Sequence, residues 1–382
     1  MTLASLPPAA IHRIASAVIA RELRRLRDEG IRSGRPEAHT PDDVAALLDL
    51  DSLEAMSVAA ALSEVFELDD VAFAPDTAAT VADWADRITA QRIERLTVYT
   101  SGSTGAPQGH SHSIADLLKE ADGFAQQFAA TQRVIALVPA DHLYGLVWTA
   151  LLPAVLDVPV IQTTVLAMPA SQAYDLIVGV PEHWSALARF RKQWPEQVIG
   201  VSSGGPLPSA LGEALLAAGL TRLVDIYGSS ETSAIGIRDM PDTGYTLLPR
   251  WRLAADDAST LIDHDGRTVS LPDDVQQTGE RRIELLGRRD HAVQIGGINI
   301  YPDRIAALLA DCEGVAETVV RQGDNGRLKA FVVPVIKHDE ACLEQRLRQF
   351  VANRLSPAER PTRFRFGPAV PRNPMGKPTD WD

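Results

Sequence analysis

The chain has 382 residues, 45% of them apolar, which is enough for two or three domains with cores of their own. Its net charge of −13 argues against a general nucleic-acid binder, which needs clustered Lys and Arg. The two cysteines, Cys312 and Cys342, lie far apart without metal-ligand spacing and fit a reducing cytoplasm better than a disulfide-stapled secreted domain.

The N-terminal segment does not read as a signal peptide, because Arg13, Arg21 and Glu22 interrupt its apolar residues. Instead, Ile11, Ile14 and Val18, extended by Ile19, Leu23 and Leu26, form a helical stripe. Val58, Leu62, Val65 and Phe66 form a second stripe, and Val81, Trp84 and Ala85 a short third. Between Asp42 and Asp86 there are twelve Asp or Glu and no Lys or Arg. Residues 1–90 are therefore expected to form an acidic all-helical bundle.

From Arg95 the pattern changes. RLTVYTSGSTG, RVIALVPA, VPVIQTTVL, YDLIVGVP, QVIGVSSGG and RLVDIYGSS are β-branched runs, with helical segments such as SALGEALLAAG between them. Such alternation predicts a doubly wound α/β core over residues 96–286. The most apolar stretch, Val134 to Ile161, contains Asp141, His142 and Asp157, so it reads as buried strand and helix rather than a membrane span. After Gly287 the order is strand (HAVQIGG), helix (PDRIAALLADC), strand (AETVVRQG), strand (RLKAFVVPVI), helix (EQRLRQFVANRL). Residues 288–382 are expected to be a small, separate α+β domain.

The strongest chemical signal is the run from Tyr99 to Gly109. Gly102, Gly105 and Gly109 allow tight turns that aim backbone N–H groups at an anion, and Ser101, Ser103 and Thr104 add hydroxyl donors. A loop of this kind after a strand suits polyphosphate. It lacks the GxxxxGK[ST] spacing of a Walker loop, and a polar turn is the bland alternative.

With its later motifs, this loop resembles the phosphate loop of the adenylating superfamily of acyl- and aryl-CoA synthetases, nonribosomal-peptide adenylation domains and luciferases. Ser202-Ser203-Gly204-Gly205-Pro206-Leu207 resembles the adenine-side glycine turn, and Asp225 to Thr232 the YGxTE motif. Gln277-Thr278-Gly279-Glu280 stands in the place of TGD. Leu286 to Asp290 resembles the hinge, Ile295 to Ile300 the following glycine loop, and Pro371 to Lys377 the closing PRTxxGK. The resemblance covers about residues 96–382, with six motifs in order after the phosphate loop.

It implies an ATP-dependent ligase that makes an acyl-adenylate. Thr100, Ser101, Gly102, Ser103, Thr104 and Gly105 would hold phosphates. Gly204, Gly205, Tyr227, Gly228 and Ser230 would surround the nucleotide, with the Tyr227 ring offering a face to adenine. Glu231 would be both a catalytic group and the oxygen ligand of Mg²⁺. Glu280 would accept from ribose hydroxyls, and Arg288 would contact ribose or phosphate. Lys377, on a mobile C-terminal lid hinged at Asp290, would stabilise charge on the reacting phosphate and carboxylate. The lid would rotate between half-reactions and bring the Gly296-Gly297 loop to the thiol. His142, in Pro139-Ala-Asp-His-Leu-Tyr-Gly145, matches a stretch at the acyl pocket. A structural histidine is an equal reading. His112 matches a family histidine of undefined role. Leu143 stands where amino-acid-activating members carry Asp, which disfavours an amino acid. The residues do not name the acid, and the expectation is an aryl or hydrophobic one, such as a starter unit for a polyketide-like or aryl-polyene pathway.

The departures are specific. Gln108 replaces a phosphate-binding Lys, Glu280 replaces Asp, and Ser230 replaces Thr. The helical segment stands where the family has a long subdomain, so the core is expected to be truncated. Asp51-Ser52-Leu53 resembles the DSL motif of acyl carrier proteins, where the serine carries phosphopantetheine. The acidic helix after it suits basic partners. Asp51 with Glu54 equally suits a helix cap. Together these features point to a carrier–ligase fusion in which Ser52, modified by a phosphopantetheinyl transferase, receives the acyl group for a downstream synthase or acyltransferase. The linker over residues 89–96 spans at most about 26–29 Å, which favours loading in trans, within a homodimer or on a separate partner. The alternatives are a synthetase that releases acyl-CoA and a ligase fold without catalysis.

Overall fold

A computed structural model of the chain describes residues 5–28, 48, 50–69, 80–101, 107–191, 193–255, 257–289, 292–296, 298–335, 340–371, 379 and 381. It divides into two compact units. The first takes in residues 1–100, 109–270 and 275–285. The second takes in residues 101–108, 271–274 and 286–382.

The three apolar stripes form helices α1 (Pro8–Asp28), α2 (Ser52–Phe66) and α3 (Val81–Thr89). Asp51 and Glu54 make the reciprocal capping box of α2, each side chain accepting from the other residue's backbone N–H at 2.9–3.0 Å. Thr80 and Asp83 do the same for α3. The three helices pack together, and α1 also lies against a π-helical turn at Val147–Leu151. There Arg13 donates from Nε to the Thr149 carbonyl at 2.6 Å and from its guanidinium to Gln162 at 3.1 Å. At the end of α2, Glu67 accepts from Thr97 on strand β1 (Arg95–Ser101) at 2.7 Å. These helices thus join the core through polar contacts, in one compact unit that also takes in residues 109–270 and 275–285, so the expected separate carrier-like bundle over residues 1–90 is not evident among the described residues.

Strand β1 pairs with β2 (Pro107–Ser113), which leads into helix α4 (Ile114–Gln127). Then come β3 (Arg133–Ala136), α5 (Leu143–Leu146), the π turn, α6 (Leu152–Leu156) and β4 (Val160–Gln162). They are followed by β5 (Asp175–Gly179), α7 (Pro181–Phe190), β6 (Ile199–Ser202), α8 (Ser209–Ala217) and β7 (Arg222–Ser229). Every β-branched run of the core is a strand, and β4, β3, β5, β6 and β7 are mutually parallel in that order.

Side chains alternate across this sheet as the pleat requires. Ile135 and Ile177 pack with Trp184 and Leu187 of α7 and Leu215 of α8. Val134, Leu176 and Val178, on alternate positions, are also fully buried. Near α4 and the π turn, Trp148 packs on Phe124 and Phe128 with ring centroids 4.5 and 5.2 Å apart.

Beyond β7 the core contains strands that the β-branched runs do not mark. Strands β8 (Ser233–Asp239) and β9 (Tyr245–Leu247) extend the sheet antiparallel, and β13 (Asp273–Gly279) and β14 (Arg282–Arg288) bring it to nine strands. Strands β10 (Arg252–Ala254), β11 (Asp257–Ile262) and β12 (Thr268–Ser270) form a separate three-stranded sheet. These strands are short or half-exposed, so they lack the continuous apolar runs of the parallel core.

The second unit contains the hairpin β15 (Val293–Ile295) and β16 (Ile298–Ile300), helix α9 (Pro302–Ala310), strands β17 (Val315–Gln322) and β18 (Leu328–Pro334), helix α10 (Glu340–Ala352) and β19 (Arg363–Phe366). Ile305, Leu309, Val320, Leu328, Val332, Leu343 and Leu347 form its core, as expected for a small α+β domain.

Candidate active site

Open α/β sheets bind ligands beyond the carboxyl ends of their parallel strands. Three loops gather there in the first unit. After β3, the chain from Pro139 turns into α5, and a Cβ on Gly145 would lie 1.8 Å from the Pro139 carbonyl oxygen, so only glycine allows this approach. Tyr144 places its hydroxyl 3.0 Å from the carbonyl oxygens of both Gly179 and Val201, linking this loop to the ends of β5 and β6. Burial raises its pKa well above the usual 10.0, so it remains a neutral donor. His142 caps α5 without a side-chain cap bond. Its side chain is 57% exposed, with Nε2 3.8 Å from Asp141. Asp141 is buried and its Oδ1 has no hydrogen-bond partner among the described residues.

After β6 comes the Ser202–Leu207 turn. Gly204 has φ +79°, in the region that favours glycine. Ser203 donates to the Ile226 carbonyl at 2.8 Å, which sets the turn beside β7. Ser202 is buried, and its hydroxyl has no partner among the described residues.

The third loop joins β7 to β8. Asp225, buried in β7, accepts from Arg238 at 2.7 and 2.9 Å and from the Tyr245 hydroxyl at 2.6 Å. Burial pushes its pKa up against both partners. Tyr227 is only 7% exposed, its ring centroid 5.6 Å from that of Tyr245. A Cβ on Gly228 would meet the Ser233 carbonyl oxygen at 2.4 Å, so this glycine serves the tight, bulged hairpin itself. Thr232 holds the turn by accepting from the Ser229 N–H at 3.2 Å. His112 Nε2 lies 2.7 Å from the Ser230 carbonyl oxygen. Glu231 projects outward, 55% exposed, with His110 Nε2 3.8 Å away.

The first unit therefore brings together Gly204, Gly205, Tyr227, Gly228, Ser230 and Glu231, with His142 on the neighbouring loop. Glu280, on the turn between β13 and β14, is exposed, and its carbonyl accepts from Gln277 at 3.2 Å. Arg288 ends β14 and falls in the second unit. Thr100 and Ser101 close β1. Gly102, Ser103, Thr104, Gly105 and Lys377 lie outside the described residues, as do Asp290 and Gly297. Ser52 is exposed at the first position of α2.

A nucleotide fits these groups. The buried Ser202 hydroxyl can donate and the buried Asp141 carboxylate can accept, each with unused capacity among the described residues, and Gly204 has a backbone conformation that glycine favours. Among the described residues no three His, Cys, Asp or Glu are grouped to hold a metal. One projecting carboxylate, Glu231, suits Mg²⁺ that is carried largely by substrate phosphates and water.

Beside α4 lies a cavity of about 530 Å³ that no sequence motif marks. Its walls include Lys119, Glu120, Phe124, Ala234, Leu248 and Arg250. Glu120 accepts from the Ser233 hydroxyl at 2.8 Å and from the Ala234 N–H, and burial raises its pKa to about 7. In the sequence, a single Glu on the polar side of an amphipathic helix looks like solvated surface. No helix among the described residues is long and apolar enough to cross a membrane.

The model of the AMP-binding enzyme family matches residues 12–280, and that of the AMP-binding enzyme C-terminal domain matches residues 304–377. The 4-coumarate–CoA ligase of Halorhodospira halophila is 36% identical, over 94% of this chain and 97% of its own. That of Rhodobacter capsulatus is 36% identical, over 97% of this chain and its full length. Alignments of this extent take in the N-terminal helices. Among solved structures, o-succinylbenzoate CoA synthetase from Bacillus subtilis is similar, with a TM-score of 0.61 at 19% identity over 77% of this chain and 72% of that one. The amide bond synthetase McbA from Marinactinospora thermotolerans has a TM-score of 0.59 at 16% identity, over 96% of this chain and 92% of its own. At such identities the likeness is one of fold.

Proposed function

The chain belongs to the AMP-binding enzyme family and is an AMP-forming acid–thiol ligase, and from that premise we propose that its acid is aryl and its acceptor is the thiol of CoA. The observation that carries this reading is the 36% identity, over nearly the whole chain, to two 4-coumarate–CoA ligases. The carboxylate attacks the α-phosphorus of ATP, pyrophosphate leaves, and the acyl-adenylate then yields its acyl group to the thiolate with release of AMP. No general base is required in the first step, because the acid is already ionised near neutral pH.

In this reading the Thr100–Gly105 loop holds the phosphates. Gly204, Gly205, Gly228 and Ser230 bound the nucleotide, and Tyr227 lies behind the base. Glu231 would hold Mg²⁺, which when bound would screen phosphate charge. Glu280 and Arg288 serve the ribose, Lys377 the reacting phosphate, and His142 the acyl end. ATP and CoA make the cytoplasm the proposed location. The test is acid-dependent ATP–pyrophosphate exchange with a panel of aryl, fatty and short aliphatic acids, followed by CoA thioester analysis. Exchange with aliphatic acids alone would refute the aryl assignment.

A second reading keeps the acceptor on the chain, as phosphopantetheine on Ser52. Its support is the exposure of Ser52 directly after the Asp51 cap. Incubation with a phosphopantetheinyl transferase and CoA should then add one phosphopantetheine by intact mass, and Ser52→Ala should block it. No addition, with CoA thioester formed freely, removes this reading together with its transferase and downstream partners.

A further inference from the structure

One buried polar cluster ties the Ser202–Leu207 turn to the strands behind Tyr227. The turn is held at both ends. At its start, Ser203 donates to the Ile226 carbonyl of β7 at 2.8 Å. At its end, Arg238 of β8 donates from its guanidinium to the Leu207 carbonyl at 3.0 Å. The same guanidinium bonds Asp225 Oδ2 from Nε and a terminal nitrogen at 2.9 and 2.7 Å. Tyr245 of β9 adds its hydroxyl to that oxygen at 2.6 Å. The Tyr245 ring has Arg238 Cζ 4.7 Å from its centroid on one side and the Tyr227 ring 5.6 Å away. The Arg238 and Asp225 side chains are 10% and 1% exposed, so water cannot stand in for these bonds. Arg238 and Tyr245 belong to none of the sequence motifs.

We propose that Arg238 is a positioning residue for ATP, which, held by Asp225 and Tyr245, fixes the spacing between the glycine turn and the Tyr227 strand. The proposal rests on the reading above that Gly204, Gly205 and Tyr227 bound the nucleotide. Arg238 acts through the Leu207 carbonyl and the Tyr227 ring, not by contact with the ligand. The chemistry calls for arginine. A guanidinium carries five N–H donors in one rigid plane, so it can bond a carboxylate on one strand and a carbonyl on a neighbouring turn together. A lysine would keep a charge beside Asp225 but lacks the planar fork that serves both partners. Burial raises the Asp225 pKa, and the Arg238 charge is the largest influence opposing it. A turn fixed in advance spares the nucleotide the entropy of ordering it, so its release is felt in nucleotide affinity.

A purely structural role would lower the active fraction, which reduces apparent kcat and leaves each KM where it was. The positioning role raises KM for ATP alone. The experiment measures KM for ATP and for 4-hydroxycinnamate in ATP–pyrophosphate exchange, and the Kd of AMP by calorimetry. The variants are Arg238→Lys, Tyr245→Phe and Tyr227→Leu. Arg238→Lys should raise KM for ATP and Kd for AMP by about tenfold or more, the usual loss for a charged hydrogen bond. KM for the acid should stay within a few fold. Tyr245→Phe removes one donor from Asp225 and keeps the ring, so it should raise Kd for AMP by a few fold. It decides the matter if Arg238→Lys does not fold. Unchanged nucleotide constants in these two variants, or equal rises for ATP and acid, would overturn the proposal. Tyr227→Leu tests the underlying reading by itself. A raised KM for ATP there, with none in Arg238→Lys, sinks the proposal alone. An unchanged KM there removes that reading and the proposal with it.

Discussion

His112 donates from Nε2 to the carbonyl oxygen of Ser230 at 2.7 Å, and so ties the entrance of α4 to the turn that presents Glu231. A carbonyl can only accept, so the proton is on Nε2. Burial, with repulsion from Arg250, holds the imidazole pKa below its ordinary 6.5. The unfolded chain therefore takes up this proton more readily than the folded one. The stability contribution is complete above 6.5 and is lost as pH falls through 6.5 toward the lowered folded value. Thermal unfolding from pH 8 to pH 5 should show this decline, and His112→Gln should flatten it. An unchanged profile in that variant would place the decline elsewhere.

Glu120 acts with the opposite sign. Its pKa rises from 4.5 to about 7, so its contribution is complete below 4.5 and is lost as pH climbs through about 7. Just below pH 6.5, where both groups titrate, the two slopes oppose each other and partly cancel in the wild type. Glu120→Gln should therefore steepen the acid-side loss in melting temperature that His112 causes and gain relative stability at pH 8. If the two variants shift the pH profile in the same direction, one of these assignments is wrong.

Much of the parallel core is legible in the sequence, because β-branched runs between helical segments leave a clear mark. The glycine- and hydroxyl-rich motifs also mark the three loops at the strand ends. The antiparallel part is not legible. Tyr245 and Arg238 lie in strands with mixed burial, and nothing in the sequence pairs them with Asp225. Nor does the motif around Gly228 reveal that its lack of a side chain serves the hairpin before it serves any nucleotide. Glu120 leaves no mark either, because its partner Ser233 is 113 residues away.

Two glycines separate close approach from mere permissiveness. At Gly145 an added Cβ would lie 1.8 Å from a backbone oxygen, and backbone cannot swing aside as a side chain tip can. Gly145→Ala should cost several kcal/mol, on the order of the largest single-residue effects, and leave little soluble protein. Gly123, inside α4, has nothing within 4 Å of such a Cβ. Gly123→Ala should stabilise by about 0.5–1 kcal/mol, by lowering the entropy of the unfolded chain. Denaturant midpoints for the two variants check both. A Gly123→Ala variant less stable than the wild type would contradict the second.

Lys377 should separate the two half-reactions. It lies outside the described residues and is assigned from the Pro371 to Lys377 motif alone. In adenylation, negative charge concentrates where a carboxylate meets a phosphate that is losing pyrophosphate, and a fixed ammonium there is worth most in the transition state. In thioester formation the leaving group is AMP, already stable as an anion, and the attacking thiolate needs no such help. Lys377→Ala should therefore reduce acid-dependent ATP–pyrophosphate exchange by about 10²-fold or more, the usual loss for one electrostatic stabiliser. Thioester formation from supplied acyl-adenylate should stay within a few fold of the wild type. Circular dichroism and melting temperature should match the wild type, since this lysine adds no core packing in the proposed role. Equal loss of both half-reactions in a folded variant would mean that Lys377 serves binding or structure, and the catalytic cation would then have to be sought elsewhere in the chain.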